Sequence, residues 1–396
     1  MNYPKVLLNK GKERSVLLFH PWVFSGAIKT LPPGLNEGDL VEVWSIDEKY
    51  LGTGHYHKGT ITVRILSFKQ EPIDARFWEN KIQNAYTLRT ALGLTNNSST
   101  NVYRLVHAEG DGLPGLIIDI YNDTAVIQTH TIGMWQHKKQ IADALSKIYG
   151  TALVAVYDKS AESLFKQNFQ GVQNEFIYRV NDSLSGLEVA ENGYRFNIDY
   201  INGQKTGFFI DQRENRKLLA QYTNEKKVLN TFCYTGGFSI YALGAGATIV
   251  HSVDSNKKAV ADTDLNVNLN FQNVQHISYS EDVFDFLKKN NENYDVIILD
   301  PPAFAKHLSA VKNAMVGYRN LNCEAIKKIS HGGILFTFSC SQAIDKELFR
   351  KLVFQASAQA KRNVRILHQL MQPPDHPVNI YHPEGEYLKG LVLYVD

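Results

Sequence analysis

The sequence predicts an α/β protein whose C-terminal half forms a doubly wound parallel sheet, preceded by a small β barrel and a central α+β unit. Three observations lead to this prediction. Apolar runs of strand length alternate with stretches of helix length through the C-terminal half of the chain. The first 72 residues consist of short β-type runs separated by turn residues. The chain of 396 residues also exceeds the length of one typical domain.

The first predicted domain covers residues 1–72. Its β-type runs are VFSGAI, LVEVWSI and ITVRILSF, with the turn-rich segment LPPGLNEGD between the first two. This pattern is typical of a small β barrel. Lys5, Lys10, Lys12 and Arg14 form a local basic cluster, which suits a solvated surface and a phosphate contact equally well.

The second predicted domain covers residues 73–187. It begins with a helix over residues 74–92, where apolar residues recur at helical spacing and the polar run TNNSST follows. GLIIDIY and TAVIQTH then predict paired strands, WQHKKQIADALSKIYG a helix and ALVAVYD another strand. We therefore expect a small α+β unit.

The third predicted domain covers residues 188–396. It opens with strands on either side of the turn at residues 191–193 and continues into a helix after Asp211. The strands KVLNTF, TIVHSVD, VQHISY, YDVIILD and GGILFTFS then alternate with helices. This alternation predicts a parallel sheet whose ligand lies above the carboxyl ends of the strands. NVRILHQL and YLKGLVLYVD lack an intervening helix, so we expect an antiparallel pair at one edge.

The composition excludes several classes of protein. With 44% hydrophobic and 21% charged residues, the chain resembles an ordinary folded protein rather than a disordered or fibrous one. No apolar stretch approaches the roughly 20 residues that span a bilayer, and no signal-like segment opens the chain. We therefore expect a cytoplasmic location. The net charge of +2 is too small to indicate a nucleic-acid partner by itself. The three cysteines are far apart, so we expect neither a disulfide framework nor a metal site.

A glycine-containing turn after strand KVLNTF is the candidate cofactor loop. Thr235, Gly236 and Gly237 lie there, and glycines at a strand-to-helix turn allow the backbone to approach a nucleotide-like ligand closely. The next strand ends at Asp254, about 20 residues further on, where a carboxylate can accept hydrogen bonds from the ribose hydroxyls of an adenosine. The loop and this acid together predict a nucleoside pocket.

The spacing of the glycines argues against a dinucleotide. The loop lacks the G-x-G-x-x-G arrangement that admits a pyrophosphate to a helix end. S-adenosyl-L-methionine carries no phosphate and therefore suits the loop. Asp282 follows the third strand, where an acid could reach the adenine amino group. The alternative for Asp282 is a helix N-cap before VFDFL.

The candidate reaction site lies at the ends of the next two strands. YDVIILD ends in Asp300, followed by two prolines that give a rigid backbone without N–H donors. The alternative is a turn with a capping aspartate. GGILFTF brings Cys340 to the same end of the sheet, either as a small buried hydrophobe or as a reactive thiol. In methyltransferases that act on exocyclic amines an aromatic residue usually follows the second proline, whereas here Ala303 precedes Phe304.

A thiol at this position has a chemical use. Carbon 5 of a pyrimidine is too weak a nucleophile to take a methyl group directly, but addition of a thiolate to carbon 6 activates it. Asp300 would hold the edge of the base by hydrogen bonding and stabilise charge as the thiolate adds. Cys233 lies in the cofactor loop and Cys323 on an apolar helix, so both suit the role less well.

Several motifs together resemble one known family, the bacterial large-subunit (23S) ribosomal RNA cytosine-5 methyltransferases of class I, which use S-adenosyl-L-methionine and carry an N-terminal PUA domain. The resemblance covers essentially the whole chain. The motifs are HPWVFSGAI (His20 to Ile28), AEGDGLPGLIID (Ala108 to Asp119), KTGFFIDQRENR (Lys205 to Arg216), NTFCYTGGFS (Asn230 to Ser239), DPPAF (Asp300 to Phe304), GYRNLN (Gly317 to Asn322), TFSCS (Thr337 to Ser341), and DHPV through PEGEYLKG (Asp375 to Gly390).

The resemblance implies a Rossmann-like methyltransferase domain, a PUA-type RNA-binding barrel and a family-specific central unit. It implies large-subunit ribosomal RNA as the partner and Cys340 as the nucleophile, and it leaves a homodimer open. Ala303 stands where the family usually has lysine. The residues that the resemblance places on the cofactor side are Phe209, Asp211, Arg213, Asp254, Asp282 and Asp300.

Two other functions remain open at this point. One is an RNA methyltransferase that acts on a purine nitrogen and has Cys340 only as a structural residue. The other is a non-catalytic RNA-binding assembly factor that keeps a relic of the cofactor fold. Cys340 favours the cytosine reaction over the first, and the complete set of glycine, aspartate and cysteine residues argues against the second.

Overall fold

The computed structural model describes residues 3–180, 187–305 and 310–396. The chain forms two compact units. The first contains residues 1–189, 198–210 and 374–385, and the second contains residues 190–197, 211–373 and 386–396. The predicted first and second domains both lie in the first unit, so the boundary predicted at residue 72 falls inside a unit. The three-domain division stays a prediction.

The first unit begins with a six-stranded sheet. Its strands are β1 (Lys5–Leu8), β2 (Trp22–Phe24), β3 (Ile28–Thr30), β4 (Leu40–Trp44), β5 (Tyr50–Tyr56) and β6 (Ile61–Ser67), in the order β2-β6-β5-β4-β1-β3. One short helix, α1 (Arg14–Leu17), follows β1. The β1–β4 pair is parallel and the other pairs are antiparallel. Valine, leucine and isoleucine side chains fill the core of this sheet.

A five-stranded sheet follows in the same unit. Its helices are α2 (Ala75–Ala91), α3 (Ile132–Gln136), α4 (Lys138–Tyr149) and α5 (Ala161–Phe165). Its strands are β7 (Val102–His107), β8 (Leu116–Tyr121), β9 (Thr124–Thr129), β10 (Ala155–Asp158) and β11 (Glu175–Arg179), in the order β11-β10-β9-β8-β7. Asp74 caps α2 by accepting from the Phe77 N–H, which confirms the predicted helix start.

Hydrogen bonds from two ion-paired arginines, Arg89 and Arg104, connect the distant segment 374–385 to the rest of the first unit. Arg89 is fully buried and its guanidinium binds both carboxylate oxygens of Asp111. The same guanidinium donates to the Asp375 carbonyl at 2.7 Å. The Asp375 carboxylate accepts from the Arg104 N–H at 3.0 Å, and the Arg104 side chain pairs with Asp119. These polar contacts link residues nearly 300 positions apart.

The second unit contains the doubly wound sheet. A hairpin of β12 (Leu187–Glu191) and β13 (Tyr194–Ile198) precedes it in the chain. The following strands are β14 (Lys227–Thr231), β15 (Ile249–Asp254), β16 (His276–Ser280), β17 (Tyr294–Leu299), β18 (Ile329–Ser339), β19 (Val364–Leu370) and β20 (Lys389–Val395). The helices are α6 (Arg213–Leu219), α7 (Gly237–Gly244), α8 (Lys257–Asn270), α9 (Val283–Lys289), α10 (Val311–Lys328) and α11 (Lys346–Ala360).

The strand order is β16-β15-β14-β17-β18-β20-β19, and the first five strands are mutually parallel. β20 runs antiparallel to both of its neighbours, which confirms the predicted antiparallel pair at one edge. The apolar strand β20 is almost wholly buried and takes the inner position, whereas β19 is largely exposed at the edge. Among the described residues, no helix is both long and apolar enough to cross a membrane.

Candidate active site

The strand register brings the predicted site residues to one edge of the sheet. Thr231 in β14 lies opposite Val253 in β15 and Leu299 in β17, and Leu299 lies opposite Thr337 in β18. Because these strands are parallel, the residues that end or follow them share the carboxyl edge, where ligands bind in such sheets. The residues placed there are the loop 232–236, Asp254, Asp300 and Cys340.

The loop 232–236 has an unusual backbone. Phe232, Tyr234 and Gly236 have φ angles of 54°, 48° and 81°, all in the left-handed region. Such a backbone costs energy for the two residues that have side chains, and it occurs preferentially at functional sites. Gly236 is also the N-cap of α7. The loop therefore has a fixed shape that ordinary turn propensities do not favour.

Packing against protein atoms explains why glycines occupy positions 236 and 237. A Cβ on Gly236 would lie 2.7 Å from Cγ2 of Thr263 in α8, and one on Gly237 would lie 3.1 Å from Cδ of Arg216 in α6. The sequence analysis attributed these glycines to close approach of a ligand. The structure gives a different reason, since both Cβ positions face neighbouring helices.

Asp254 fixes this loop. Its Oδ2 accepts from the Tyr234 N–H at 3.0 Å, and its Oδ1 accepts from the Asn256 N–H at 2.9 Å. Thr263 binds the other side of the loop by donating to the Tyr234 carbonyl at 2.8 Å. Each Asp254 oxygen retains a further lone pair, so the carboxylate can still accept from a ribose hydroxyl.

The buried hydroxyl of Thr235 indicates whether the loop suits a nucleoside cofactor. The side chain is only 6% exposed, and its Oγ1 has no hydrogen-bond partner within residues 3–180, 187–305 and 310–396. A buried hydroxyl without a partner is costly, so a polar ligand atom at this edge would stabilise it. Thr235, the loop backbone and Asp254 therefore fit the adenosine part of such a cofactor.

Asp282 is the N-cap of α9. Its Oδ1 accepts from the Asp285 N–H at 3.1 Å, which is the alternative that the sequence analysis left open. The side chain is exposed. Asp282 follows β16, whose last residue, Ser280, lies opposite Asp254. A contact between Asp282 and adenine stays a prediction.

The other predicted cofactor residues divide between the two units. Phe209 belongs to the first unit, where the Lys205 ammonium lies 4.7 Å from its ring centre. Asp211 and Arg213 belong to the second unit and are buried. The Tyr387 hydroxyl donates to Asp211 Oδ2 at 2.7 Å. The sequence analysis did not single out Tyr387, although it quoted the motif PEGEYLKG that contains it.

A buried ion pair between Arg216 and Glu191 packs against the start of α7, next to the cofactor loop. Arg216, whose side chain packs against Gly237, binds both oxygens of Glu191 at 2.8 and 2.7 Å. The Tyr241 hydroxyl also donates to Glu191, at 3.0 Å. Burial lowers the pKa of Arg216, but the Glu191 carboxylate outweighs it and raises that pKa above its usual value. Arg216 therefore keeps its positive charge.

The three thiols differ in accessibility. Cys233 and Cys323 are buried, whereas Cys340 is half-buried. Burial raises the pKa of the Cys233 thiol to about 12, and it also raises that of Cys323. These two thiols are therefore protonated and unreactive at neutral pH. The Cys340 Sγ lies 4.0 Å from the Pro301 carbonyl, so the thiol adjoins the segment that begins with Asp300.

Ser341 connects the two strand ends of the reaction site. Its hydroxyl accepts from the Ala305 N–H at 3.3 Å and shares a hydrogen bond of 3.0 Å with the Tyr318 hydroxyl. Its carbonyl accepts from Lys389 Nζ at 2.7 Å. Asp300 itself is half-buried directly after β17. The sequence analysis assigned no role to Ser341, Tyr318 or Lys389, and the only signal for them was their place in quoted motifs.

The fold and this edge define a class of protein. At one edge of a doubly wound parallel sheet, a glycine-containing loop lacks the spacing of a pyrophosphate-binding loop. The next strand ends in Asp254, a carboxylate suited to the ribose of a nucleoside. A carboxylate and a thiol follow the next two strands. This is the arrangement of an enzyme that transfers a group from a nucleoside cofactor to a second substrate.

Comparison with known proteins narrows this class. Residues 159–391 match the family model of the S-adenosylmethionine-dependent methyltransferases, and residues 6–68 match a PUA-like domain. Proteins named ribosomal RNA large subunit methyltransferase I are 39% identical in Shewanella frigidimarina and 38% identical in Pseudoalteromonas atlantica. Each alignment covers 99% of both chains.

Solved structures agree with this fold. A Streptococcus mutans structure described as a SAM-dependent methyltransferase superposes with a TM-score of 0.84 at 24% identity, covering 99% of this chain and all of the other. A methyltransferase structure complexed with SAH gives the same TM-score at 23% identity and the same coverage. The chain belongs to the S-adenosylmethionine-dependent methyltransferase family, and S-adenosylmethionine is its cofactor. This cofactor supplies an electrophilic methyl group.

The replacement Asp254→Ala is expected to raise the Kd for S-adenosylmethionine by about 10- to 100-fold. The change removes a charged acceptor for ribose and frees the Tyr234 N–H that shapes the loop, and such hydrogen bonds contribute about 1.5–3 kcal/mol. Calorimetric titration of the full chain measures the affinity. Asp262→Ala is the control, because Asp262 forms a solvent-accessible ion pair with Lys258 in α8 and has no part in the loop 232–236 as described. Equal affinity of the Asp254→Ala protein and the native protein would contradict the assignment.

Proposed function

We propose that the chain methylates carbon 5 of a cytosine in large-subunit ribosomal RNA and that Cys340 is the nucleophile. The relatives of 38–39% identity are named as large-subunit ribosomal RNA methyltransferases, which supports the class of substrate. The single observation that carries the covalent mechanism is the half-buried Cys340 thiol, which follows β18 and lies next to the segment that begins with Asp300.

In this proposal Cys340 makes and breaks one bond. Its thiolate adds to carbon 6 of the cytosine, which places electron density on carbon 5 so that this carbon can accept the methyl group. Methyl transfer leaves S-adenosylhomocysteine as the product of the cofactor. Loss of the carbon 5 proton to water then restores the double bond between carbons 5 and 6 and expels the thiolate. No oxidant or reductant is needed, and the enzyme returns to its starting state.

Asp300 holds the cytosine during this addition. The carboxyl group that follows β17 can donate to ring nitrogen 3 when it is protonated, and negative charge develops at that nitrogen as sulfur adds. When it is ionised, it can accept from the amino group. Pro301 and Pro302 offer no N–H donors that would compete for the same carboxylate. The segment 300–305 is fixed at its end by the bond from Ala305 N–H to Ser341. The base would leave its stack to reach both groups, at a cost of a few kcal/mol.

The N-terminal PUA-like domain supplies RNA affinity in this proposal. Lys5, Lys10, Lys12 and Arg14 are all exposed in the structure, so their charges are available to phosphates. Contacts of basic side chains with phosphates release counterions and stabilise RNA binding without specifying a sequence. The base is then selected at the carboxyl edge of the second unit.

The experiment that tests this function compares ribosomal RNA from cells with and without the gene. We expect loss of one 5-methylcytosine from 23S ribosomal RNA when modified nucleosides are mapped by mass spectrometry. The native gene should restore the mark on a plasmid, and a Cys340→Ala gene should not. Loss of a methylated purine instead would refute the cytosine assignment, and an unchanged map would refute ribosomal RNA as the substrate.

A further inference from the structure

A buried lysine lies beside the proposed nucleophile. Lys389 is the first residue of β20 and pairs across the sheet with Ser339, the residue before Cys340. Its Nζ donates to the carbonyl of Ser341, the residue after Cys340, at 2.7 Å. The side chain is only 5% exposed. An amino group is therefore fixed against the chain segment that carries the thiol.

Several charged or ionisable groups face this amine. Within residues 3–180, 187–305 and 310–396, these groups include Cys340, Glu386 in the preceding loop, and Asp345 and Lys346 at the start of α11. Glu386 pairs with Lys346, so part of its charge is already balanced. Burial lowers the pKa of Lys389 to about 8, although Cys340, Glu386 and Asp345 oppose this effect. Lys389 is thus largely an ammonium at neutral pH and loses its charge above about pH 8.

Tyr318, like Asp300, is a titratable group near the thiol. Burial raises its pKa, so the phenol is neutral at physiological pH and acts as a hydrogen-bond partner of Ser341. It therefore cannot supply or balance charge at Cys340. Three observations support an interaction between the Lys389 cation and Cys340. They are the strand register, the hydrogen bond to Ser341 and the coulombic interaction between the two side chains.

We propose that Lys389 is a positioning residue for Cys340: its buried ammonium favours the thiolate form of Sγ and fixes the end of β18 that presents it. The proposal rests on the covalent function proposed for Cys340. A cation beside a cysteine favours the thiolate, and the low dielectric of a buried site strengthens that attraction. Lysine is rarely buried because its charge is costly to desolvate, and buried ionisable groups with shifted pKa values concentrate at functional sites.

Alkylation of Cys340 tests this inference without RNA or cofactor. The full chain is treated with iodoacetamide between about pH 6 and 10, and the peptide containing Cys340 is quantified by mass spectrometry. We expect the native protein to reach half-maximal rate below the value of about 8.5 at which an ordinary thiol ionises. Lys389→Met should move this midpoint upward by about one pH unit and slow alkylation at pH 7 by about tenfold.

Two further variants separate charge from packing. Lys389→Arg retains the positive charge and should keep its midpoint close to that of the native protein. Lys351→Met removes an exposed lysine of α11 and should leave the profile unchanged. Superimposable profiles for the native protein and Lys389→Met would overturn the inference. If Lys389→Met does not fold, the native protein alone can still overturn the inference. It does so if Cys340 reaches half-maximal alkylation at or above about pH 8.5, the value of an ordinary thiol.

The assay also separates this inference from the proposed function. Alkylation reports only on the ionisation of Cys340, whereas trapping of RNA carrying 5-fluorocytosine reports on attack at carbon 6. An unshifted profile with an intact RNA adduct overturns the role of Lys389 alone. A shifted profile with no RNA adduct overturns the function proposed for Cys340.

Discussion

Replacement of Cys340 by alanine is expected to reduce methylation of the target cytosine by at least about 10⁴-fold. The thiolate is the group that activates carbon 5, and removal of a covalent nucleophile costs several orders of magnitude in other enzymes. RNA with 5-fluorocytosine at the target cannot lose a proton from carbon 5 after methyl transfer. The native protein should therefore form an adduct with this RNA that survives denaturation, and the Cys340→Ala protein should form none.

Cys323→Ala provides the matched control for this experiment. Cys323 is a buried thiol of α10, and burial raises its pKa, so it has no part in the proposed chemistry. Its variant should keep both the adduct and methylation. Robust methylation by Cys340→Ala would show that the reaction does not need a thiol, and the methyltransferase acting on a purine nitrogen would then become the leading hypothesis.

Replacement of Glu191 by glutamine is expected to destabilise the second unit by about 3–5 kcal/mol. Arg216 is 2% exposed, and the change removes the negative charge that pairs with its guanidinium through two hydrogen bonds. The loss should also weaken S-adenosylmethionine binding, because Arg216 packs against Gly237 at the cofactor loop. Urea unfolding followed by far-UV circular dichroism and by hydrogen exchange in α7 measures the effect.

Tryptophan fluorescence gives an internal control, since Trp22, Trp44, Trp78 and Trp135 all lie in the first unit. The replacement should lower the free energy of unfolding reported by tryptophan fluorescence less than the free energy reported by hydrogen exchange in α7. Glu292→Gln is the matched surface variant: Glu292 pairs with Lys227 in solvent, where such pairs contribute about 0–1 kcal/mol. An equal loss in the free energy of unfolding for the two variants would show that the buried pair contributes no more to stability than the surface pair. The double variant Glu191→Leu/Arg216→Met should recover much of the lost stability.

The parts of the site that lie at strand ends could be predicted from sequence alone. Asp254, Asp300 and Cys340 each end or follow an apolar run, and parallel strands bring such positions to one edge whatever the rest of the fold does. The antiparallel edge pair could be predicted in the same way, because no helix separates its two segments. For Asp282, sequence allowed both a cap and a ligand contact, and only the bond to the Asp285 N–H showed that it caps α9.

The sequence by itself determined the order of the elements, the parallel sheet and the edge that carries the site, since these follow from hydrophobic periodicity and turn residues that act locally along the chain. The tertiary structure alone decided which polar groups meet inside: Glu191 with Arg216, Arg89 with Asp111 and Asp375, and Lys389 with the segment around Cys340. Each of these contacts joins residues between 22 and 286 positions apart. Periodicity shows which residues are buried but does not identify the partner of a buried charge, because that partner is set by the packing of elements that the chain brings together only on folding.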